Sequence, residues 1–344
     1  MHPLLAAQAA AAAQALPAEA LDYYAGGSGD EISVGEAEGA WRRWRLRPRV
    51  LRDVADVDTS VDLLGTRLRT PVLVAPTALH GLAHPDAERA TARGTADAGS
   101  LMVVSTRTSA PLEQVPAGSW WFQVYVLRDR GLTRALVDRA VAAGASALVV
   151  TGDTPRVAMK KRTGAPPRDA AALAGLAQHR AAGRHGDDSD VEQDPSADLS
   201  VVGELAASGL PVLVKGVLRG DDAQACLDAG AAGVVVSNHG GRQLDRAVPT
   251  ARALPEVVDA VGDRAPVLVD GGLRSGVDVL TALALGARAV LVGRPVLWAL
   301  AASGADGVRD CLQALTADLE EAMALAGART LAGVTHDLLT APRA

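Results

Sequence analysis

Cysteine and lysine are the scarce residues of this chain. Its 344 residues hold two cysteines, Cys226 and Cys311, far apart and in no CxxC pair. A disulfide framework is excluded, no metal site is expected, and a reducing compartment suits the chain. Only Lys160, Lys161 and Lys215 are lysine, against thirty-one arginines. Positive charge is short overall: the formal net charge is -6, which leaves no electrostatic footprint for nucleic acid. No Lys or Arg precedes Arg42, so the positive n-region of a signal peptide is missing. No run reaches the roughly 18 apolar residues of a membrane span. A cytoplasmic protein with no membrane or nucleic-acid partner is the expectation.

What the chain does have is a repeat of type. Hydrophobic residues make up 49%, enough for a large core. Eight short valine-rich runs recur: PVLVA (71–75), LMVVS (101–105), WFQVYV (121–126), ALVVT (147–151), PVLVK (211–215), GVVVS (233–237), PVLVD (266–270) and AVLVG (289–293). Each is too short for a helix and too continuously apolar for a half-exposed strand, as parallel strands buried on both faces are. Helical segments lie between them, and three end on Ala143-Gly144-Ala145, Ala229-Gly230-Ala231 and Leu285-Gly286-Ala287, where glycine suits a left-handed cap. Eight strands alternating with helices predict a single α/β domain over 1–344, a (β/α)8 TIM barrel. An open doubly wound sheet is the runner-up. An alanine-rich N-terminal helical lead-in and a C-terminal helical tail, mainly Asp306 to Ala326, flank it. Residues 159–198, polar and nearly free of large apolar side chains, read as a mobile lid over the mouth.

Barrel enzymes carry their chemistry at the C-terminal ends of the strands. Here those ends are Pro76-Thr77-Ala78, Ser105 with Arg107, Gln123 with Tyr125, Thr151 with Asp153, Lys215, the stretch GVVVSNHGGRQLD with Ser237, His239 and Arg242, then Asp270-Gly271-Gly272, and Gly293-Arg294. The set suits a ligand with a phosphate and a flat polar heterocycle. Glycines and an arginine after strands seven and eight suit the phosphate. Ser105, Gln123 and Thr151 suit the edge of an isoalloxazine. In so arginine-rich a chain, a lysine at a strand end suggests a compact point charge, and Lys215 fits the place where a reduced flavin ring becomes anionic.

SNHGGRQLD, LVKGV, DGGLRSGVDVLTALALGA and VGRP resemble the FMN-dependent α-hydroxy acid oxidases and dehydrogenases. The resemblance runs from LPAEALDYYAGG through RPRVL, APTALHGLAHPDAE, FQVYV and TGDTPR to the tail, and LHGLAHPDAE is similar to the hydroxymandelate-oxidase-like branch. It implies FMN as cofactor, a 2-hydroxy acid as substrate, oxygen or another acceptor as oxidant, and a homotetramer. It also implies that His239 is the base, that Asp153 holds its imidazolium, and that Tyr125 donates to the substrate oxygen. Arg242 and Tyr23 would bind the substrate carboxylate. Arg274 joins Pro76, Thr77, Ala78, Ser105, Gln123, Thr151, Lys215, Ser237, Asp270, Gly271, Gly272, Gly293 and Arg294 around the cofactor.

Two positions depart from the pattern. After TPR the family carries arginine pairs, one of which helps clamp the carboxylate; here Met159 and Lys160 stand there. Lys160, Lys161 or Arg162 could substitute, without the same bidentate fork if a lysine does so. Arg107 occupies a place often filled by an aromatic side chain, and a cation there suggests a polar, anionic or larger substrate. Three alternatives stay open: an atypical or carrier-bound substrate, non-oxidative flavin chemistry such as an isomerase, and a flavin-binding protein without hydroxy acid oxidation.

Overall fold

The computed structural model describes residues 1–115, 117–162 and 191–340. Most of the expected lid, 163–190, lies outside the described residues. The eight valine-rich runs are the eight strands of a closed parallel barrel: β1 (Val72–Val74), β2 (Met102–Val104), β3 (Trp120–Val124), β4 (Leu148–Thr151), β5 (Val212–Val217), β6 (Gly233–Val236), β7 (Val267–Asp270) and β8 (Ala289–Val292). β8 pairs with β1 through Val290–Val72, which closes the ring. Gly144, Gly230 and Gly286 all have positive φ (90°, 99° and 101°), as left-handed helix ends require.

The period of two along each strand sorts the side chains. Val72, Val74, Met102, Val104, Leu148, Val150, Val234 and Val236 face outward into the core under the helices. Leu73, Val103, Trp121, Val149, Leu213, Val235, Leu268 and Leu291 belong to a separate cluster inside the barrel. Two residues further along, the inward series reaches Ala75, Ser105, Gln123, Thr151, Lys215, Ser237, Asp270 and Gly293. The lower interior is therefore apolar and packed, and the top layer is polar.

Two features differ from the sequence expectation. The lead-in is not helical throughout. Helices Pro3–Ala15, Ala18–Ala25 and Ile32–Arg42 give way to an antiparallel hairpin, Val61–Leu63 with Thr66–Leu68. Its Val61, Leu63 and Leu68 join the inner cluster and plug the barrel floor. Alternation of strand and helix lapses once. Between β2 and β3 the described residues form only a 3-10 turn, Leu112–Gln114, which Pro111 introduces. The C-terminal tail is as expected: the helix that opens at Arg294 breaks at Ser303 and Gly304, whose φ/ψ are non-helical, and a second helix runs from there to Ala326.

Candidate active site at the barrel mouth

A cavity of about 640 Å³ opens at the C-terminal ends of the strands. Tyr23, Pro76, Thr77, Ala78, Ser105, Arg107, Gln123, Tyr125, Thr151, Lys160, Lys215, His239, Arg242, Asp270, Gly271, Gly272, Arg274, Gly293 and Arg294 all line it. Of the residues expected at the site, only Asp153 and Ser237 stand behind this wall.

Both of these support a residue in front. His239 Nδ1 lies 2.9 Å from Asp153 Oδ1. Thr154 Oγ1 donates to the same oxygen at 3.1 Å. Burial pushes the Asp153 carboxyl up, but His239, Lys215 and the Thr154 hydroxyl outweigh it and hold it below the usual carboxylate range. An ionised Asp153 fixes the proton on Nδ1 and leaves Nε2 as the basic nitrogen. The backbone makes room for the pair. Gly216, at an irregularity in the β5–β6 ladder, has φ +108°, and a Cβ there would sit 2.6 Å from the Asp153 side chain. His239 itself has φ +57°, a left-handed conformation rare outside glycine. Such strain in a non-glycine residue persists where the surroundings over-determine it. His239 N is held by Ser237 Oγ at 3.0 Å.

Ser237 Oγ also accepts from Lys215 Nζ at 2.7 Å, and Lys215 pairs with Asp270 Oδ2 at 2.9 Å. Burial alone would discharge this lysine. Asp270 and Asp153 outweigh it and raise its pKa, which favours a charged ammonium in this buried place. Across the mouth the groups are neutral. Ser105 Oγ and Thr106 N both donate to Gln123 Oε1 at 3.1 Å, and Gln123 Nε2 donates to Thr151 Oγ1 at 2.9 Å.

Cations crowd the third side. Arg294 is pushed down to about 9 by burial, then by Arg242 and Arg274. Its fork is engaged by carbonyls: Nε with Tyr24 at 3.1 Å, Nη1 with Gly240 at 3.0 Å and Nη2 with Gly26 at 3.1 Å. Arg294 thus ties the N-terminal segment to the loop after β6. Arg242 Nη1 donates to Tyr23 O and Gly26 O, and its guanidinium lies 5.0 Å from the Tyr23 ring centroid. Lys160 Nζ donates to the Arg242 carbonyl. Of the three cations considered after TPR, Lys160 alone reaches the cavity. Lys161 Nζ is 3.7 Å from Asp30 Oδ1 and Arg162 Nη2 is 2.8 Å from Glu31 Oε2. Met159 is exposed at the rim.

Arg242 thus adds to burial in depressing both Arg294 and Lys160, and an anion placed among these cations would relieve the repulsion. The cradle beside them is backbone. A Cβ at Gly272 would meet Ala37 O at 2.3 Å, so no side chain can intrude. Asp270 Oδ1 and Asn238 Oδ1 are buried acceptors without a donor among the described residues. Of these two, Asp270 lines the cavity, where a ligand carrying an anionic group and a hydroxyl could meet it.

Residues not anticipated from the sequence also shape the site. Gln243 Nε2 donates to the carbonyls of Asp153 and Arg156 at 3.3 and 3.1 Å, and its Oε1 accepts from Ala158 N at 3.2 Å. Asp245 accepts from Asp30 N at 2.8 Å and Ser33 N at 3.0 Å. Both belong to the SNHGGRQLD stretch, directly after Arg242, and their position in it was the available signal.

The model of a family described as FMN-dependent dehydrogenase matches residues 12–341. The chain is 44% identical over 341 residues to the L-lactate oxidase of Nostoc sp., covering 93% of each protein. It is 46% identical over 336 residues to the 4-hydroxymandelate oxidase of Amycolatopsis orientalis, again covering 93% of each. A crystal structure of mandelate oxidase with (S)-4-hydroxymandelic acid superposes with a TM-score of 0.89 at 44% identity, over 98% of both chains. No helix among the described residues is long and apolar enough to cross a membrane. With a histidine–aspartate pair and a group of cations at the mouth of a parallel barrel, and with matches over nearly its full length, this chain belongs to the FMN-dependent dehydrogenases.

Proposed function

We propose that the cavity oxidises a 2-hydroxy acid to the 2-oxo acid, with His239 as base and oxygen as the final acceptor. The residues fit FMN. Arg274 and Arg294, with the backbone of Gly271, Gly272 and Gly293, would hold its phosphate. Asp270 Oδ1 would accept from a hydroxyl of its chain. Pro76, Thr77 and Ala78, with Ser105, Gln123 and Thr151, would border the ring, and Lys215, backed by Ser237, would face the side that gains charge. Bound FMN supplies the electron acceptor, taking two electrons from the substrate and delivering them to oxygen as hydrogen peroxide.

Arg242, Tyr23 and Lys160 orient the acid by its carboxylate. Tyr125 donates to the hydroxyl oxygen. Burial raises its pKa despite the opposing pull of Arg107, so the phenol keeps its proton through the physiological range. His239 Nε2 removes a proton from the substrate, and Asp153 stabilises the imidazolium that results. The observation that carries this reading is the 2.9 Å bond between His239 and Asp153 on the wall of a cavity that also holds Lys215. The chain is further proposed to work in the cytoplasm, on its two free buried cysteines, and as a homotetramer, on the resemblance.

The test is the visible spectrum of the purified protein, followed without oxygen as 2-hydroxy acids are added. Bleaching of a yellow protein by one of them is the expected result. A yellow protein that none of them bleaches overturns the reading.

A further inference from the structure

We infer that Arg107 is a specificity-determining residue that receives a second carboxylate, and that the preferred substrate is a 2-hydroxy dicarboxylic acid. The inference rests on the hydroxy acid reading above and names the class of acid.

Two arginine–tyrosine pairs line one cavity. Arg242 lies 5.0 Å from the centroid of the Tyr23 ring, and Arg107 lies 5.6 Å from that of Tyr125. The guanidinium of Arg242 is partly used, since it donates to two carbonyls. Arg107 is anchored by its backbone instead: its N donates to Ser105 Oγ at 3.1 Å, and its carbonyl accepts from Leu79 N at 3.0 Å. Its guanidinium has no hydrogen-bond or ion-pair partner among the described residues, although it is half-buried. It is also the one cation on the neutral side of the mouth, beside Ser105, Gln123 and Thr151. A half-exposed guanidinium that stacks on a ring and makes no bond to a protein acceptor keeps its donors available to a ligand that enters the cavity. Its planar fork matches a carboxylate.

Charge points the same way. Six cations line the cavity (Arg107, Lys160, Lys215, Arg242, Arg274 and Arg294), and Asp270 is the one carboxylate among the described lining residues. A phosphate brings about two negative charges, and a monocarboxylic substrate brings one. Lys215 is already paired with Asp270 and Arg274 with Glu38 at 3.2 Å, whereas Arg107 has no carboxylate beside it among the described residues. A second carboxylate on the substrate would supply one. The reaction is unchanged: the carbon bearing the hydroxyl loses two electrons and two protons, oxygen takes them up, and the second carboxylate does not react.

The experiment compares matched acids on the FMN-loaded enzyme. Malate and 2-hydroxyglutarate are set against the monocarboxylic 2-hydroxybutyrate and 2-hydroxyvalerate, with mandelate as the aromatic probe. Each is read as kcat/KM and as anaerobic bleaching. Binding of 2-oxoglutarate and of 2-oxovalerate, which cannot reduce the flavin, is titrated by the shift of the flavin spectrum. The diacids are expected to be preferred at least about tenfold. Arg107→Gln is expected to lower that diacid-to-monoacid ratio by about a hundredfold in kcat/KM and in the oxo acid affinities, and Arg107→Lys to restore part of it. A wild-type preference for the monoacids or for mandelate overturns the inference while leaving hydroxy acid oxidation intact. So does an Arg107→Gln variant that lowers both classes equally, which would make Arg107 a support for Tyr125. If no acid of any class bleaches the flavin, the parent reading fails and this one falls with it.

Discussion

The two halves of the barrel mouth are built from the same kind of strand and end in opposite chemistry. The inward positions that end β1 to β4 are Ala75, Ser105, Gln123 and Thr151, a neutral chain of hydrogen bonds. Those of β5 to β8 are Lys215, Ser237, Asp270 and Gly293, with His239, Arg274 and Arg294 just beyond. The strand-end groups of the neutral half satisfy one another, with Arg107 just beyond them as the exception. Gln123 accepts from Ser105 and from Thr106 N and donates to Thr151. The charged half is not, because burial and then Arg242 and Arg274 depress Arg294, and the acceptors at Asp270 and Asn238 lack donors among the described residues. One half is a finished surface against which a flat ring can lie. The other is arranged for negative charge that comes with a ligand or develops during reaction.

The largest way to break this contrast is to remove the base. His239→Ala should lower anaerobic flavin reduction by about 10²–10⁴-fold while the protein stays yellow. Full activity in that variant would take His239 out of the chemistry. Next in size is Lys215→Met. Asp270 would then be left buried without its cation, and a broken buried pair costs about 3–5 kcal/mol. Urea unfolding of the FMN-free protein should show that loss; an unchanged midpoint would mean that Asp270 is already satisfied another way. The matching change in the neutral half is Gln123→Leu. It strands the Ser105 hydroxyl and the Thr106 amide, and the expected loss is about 1–3 kcal/mol. If Gln123→Leu costs as much as Lys215→Met, the two halves are not different in kind.

This division was legible in the sequence because strand period alone decides which residues face inward. Once eight valine-rich runs are aligned, Ser105, Gln123, Thr151, Lys215 and Asp270 fall on one face without any knowledge of their partners. The hairpin that plugs the floor was harder to see. Val61-Asp62-Leu63 and Thr66-Arg67-Leu68 alternate as strands do, but at three residues each they are too short to stand out. Contacts across hundreds of residues were not legible at all. Nothing in Gly293-Arg294 says that the arginine fork will engage the carbonyls of Tyr24 and Gly26. Nothing in Lys160-Lys161-Arg162 says which cation turns inward; Asp30 and Glu31, which draw two of them away, lie about 130 residues earlier.

Lys160 offers the smallest effect and the finest test of the charged half. Burial, then Arg242 and Arg294, lower its pKa from the ordinary lysine value to about 8. Below that pH the ammonium is charged and can attract a carboxylate; above it the group becomes neutral and the attraction fades. KM for the preferred acid should therefore rise as pH climbs past about 8, approaching tenfold per unit, because each pKa unit corresponds to a factor of ten between the two protonation states. Affinity for the unreactive 2-oxo acid, read from the flavin spectrum, should weaken over the same range. Lys160→Arg keeps its charge throughout and should flatten the profile. Lys160→Ala should raise KM at neutral pH and also remove its dependence on pH near 8. A wild-type profile that stays flat between pH 7 and 9.5 would leave the carboxylate to Arg242 and Tyr23, and Lys160 would then serve to fix the Arg242 carbonyl.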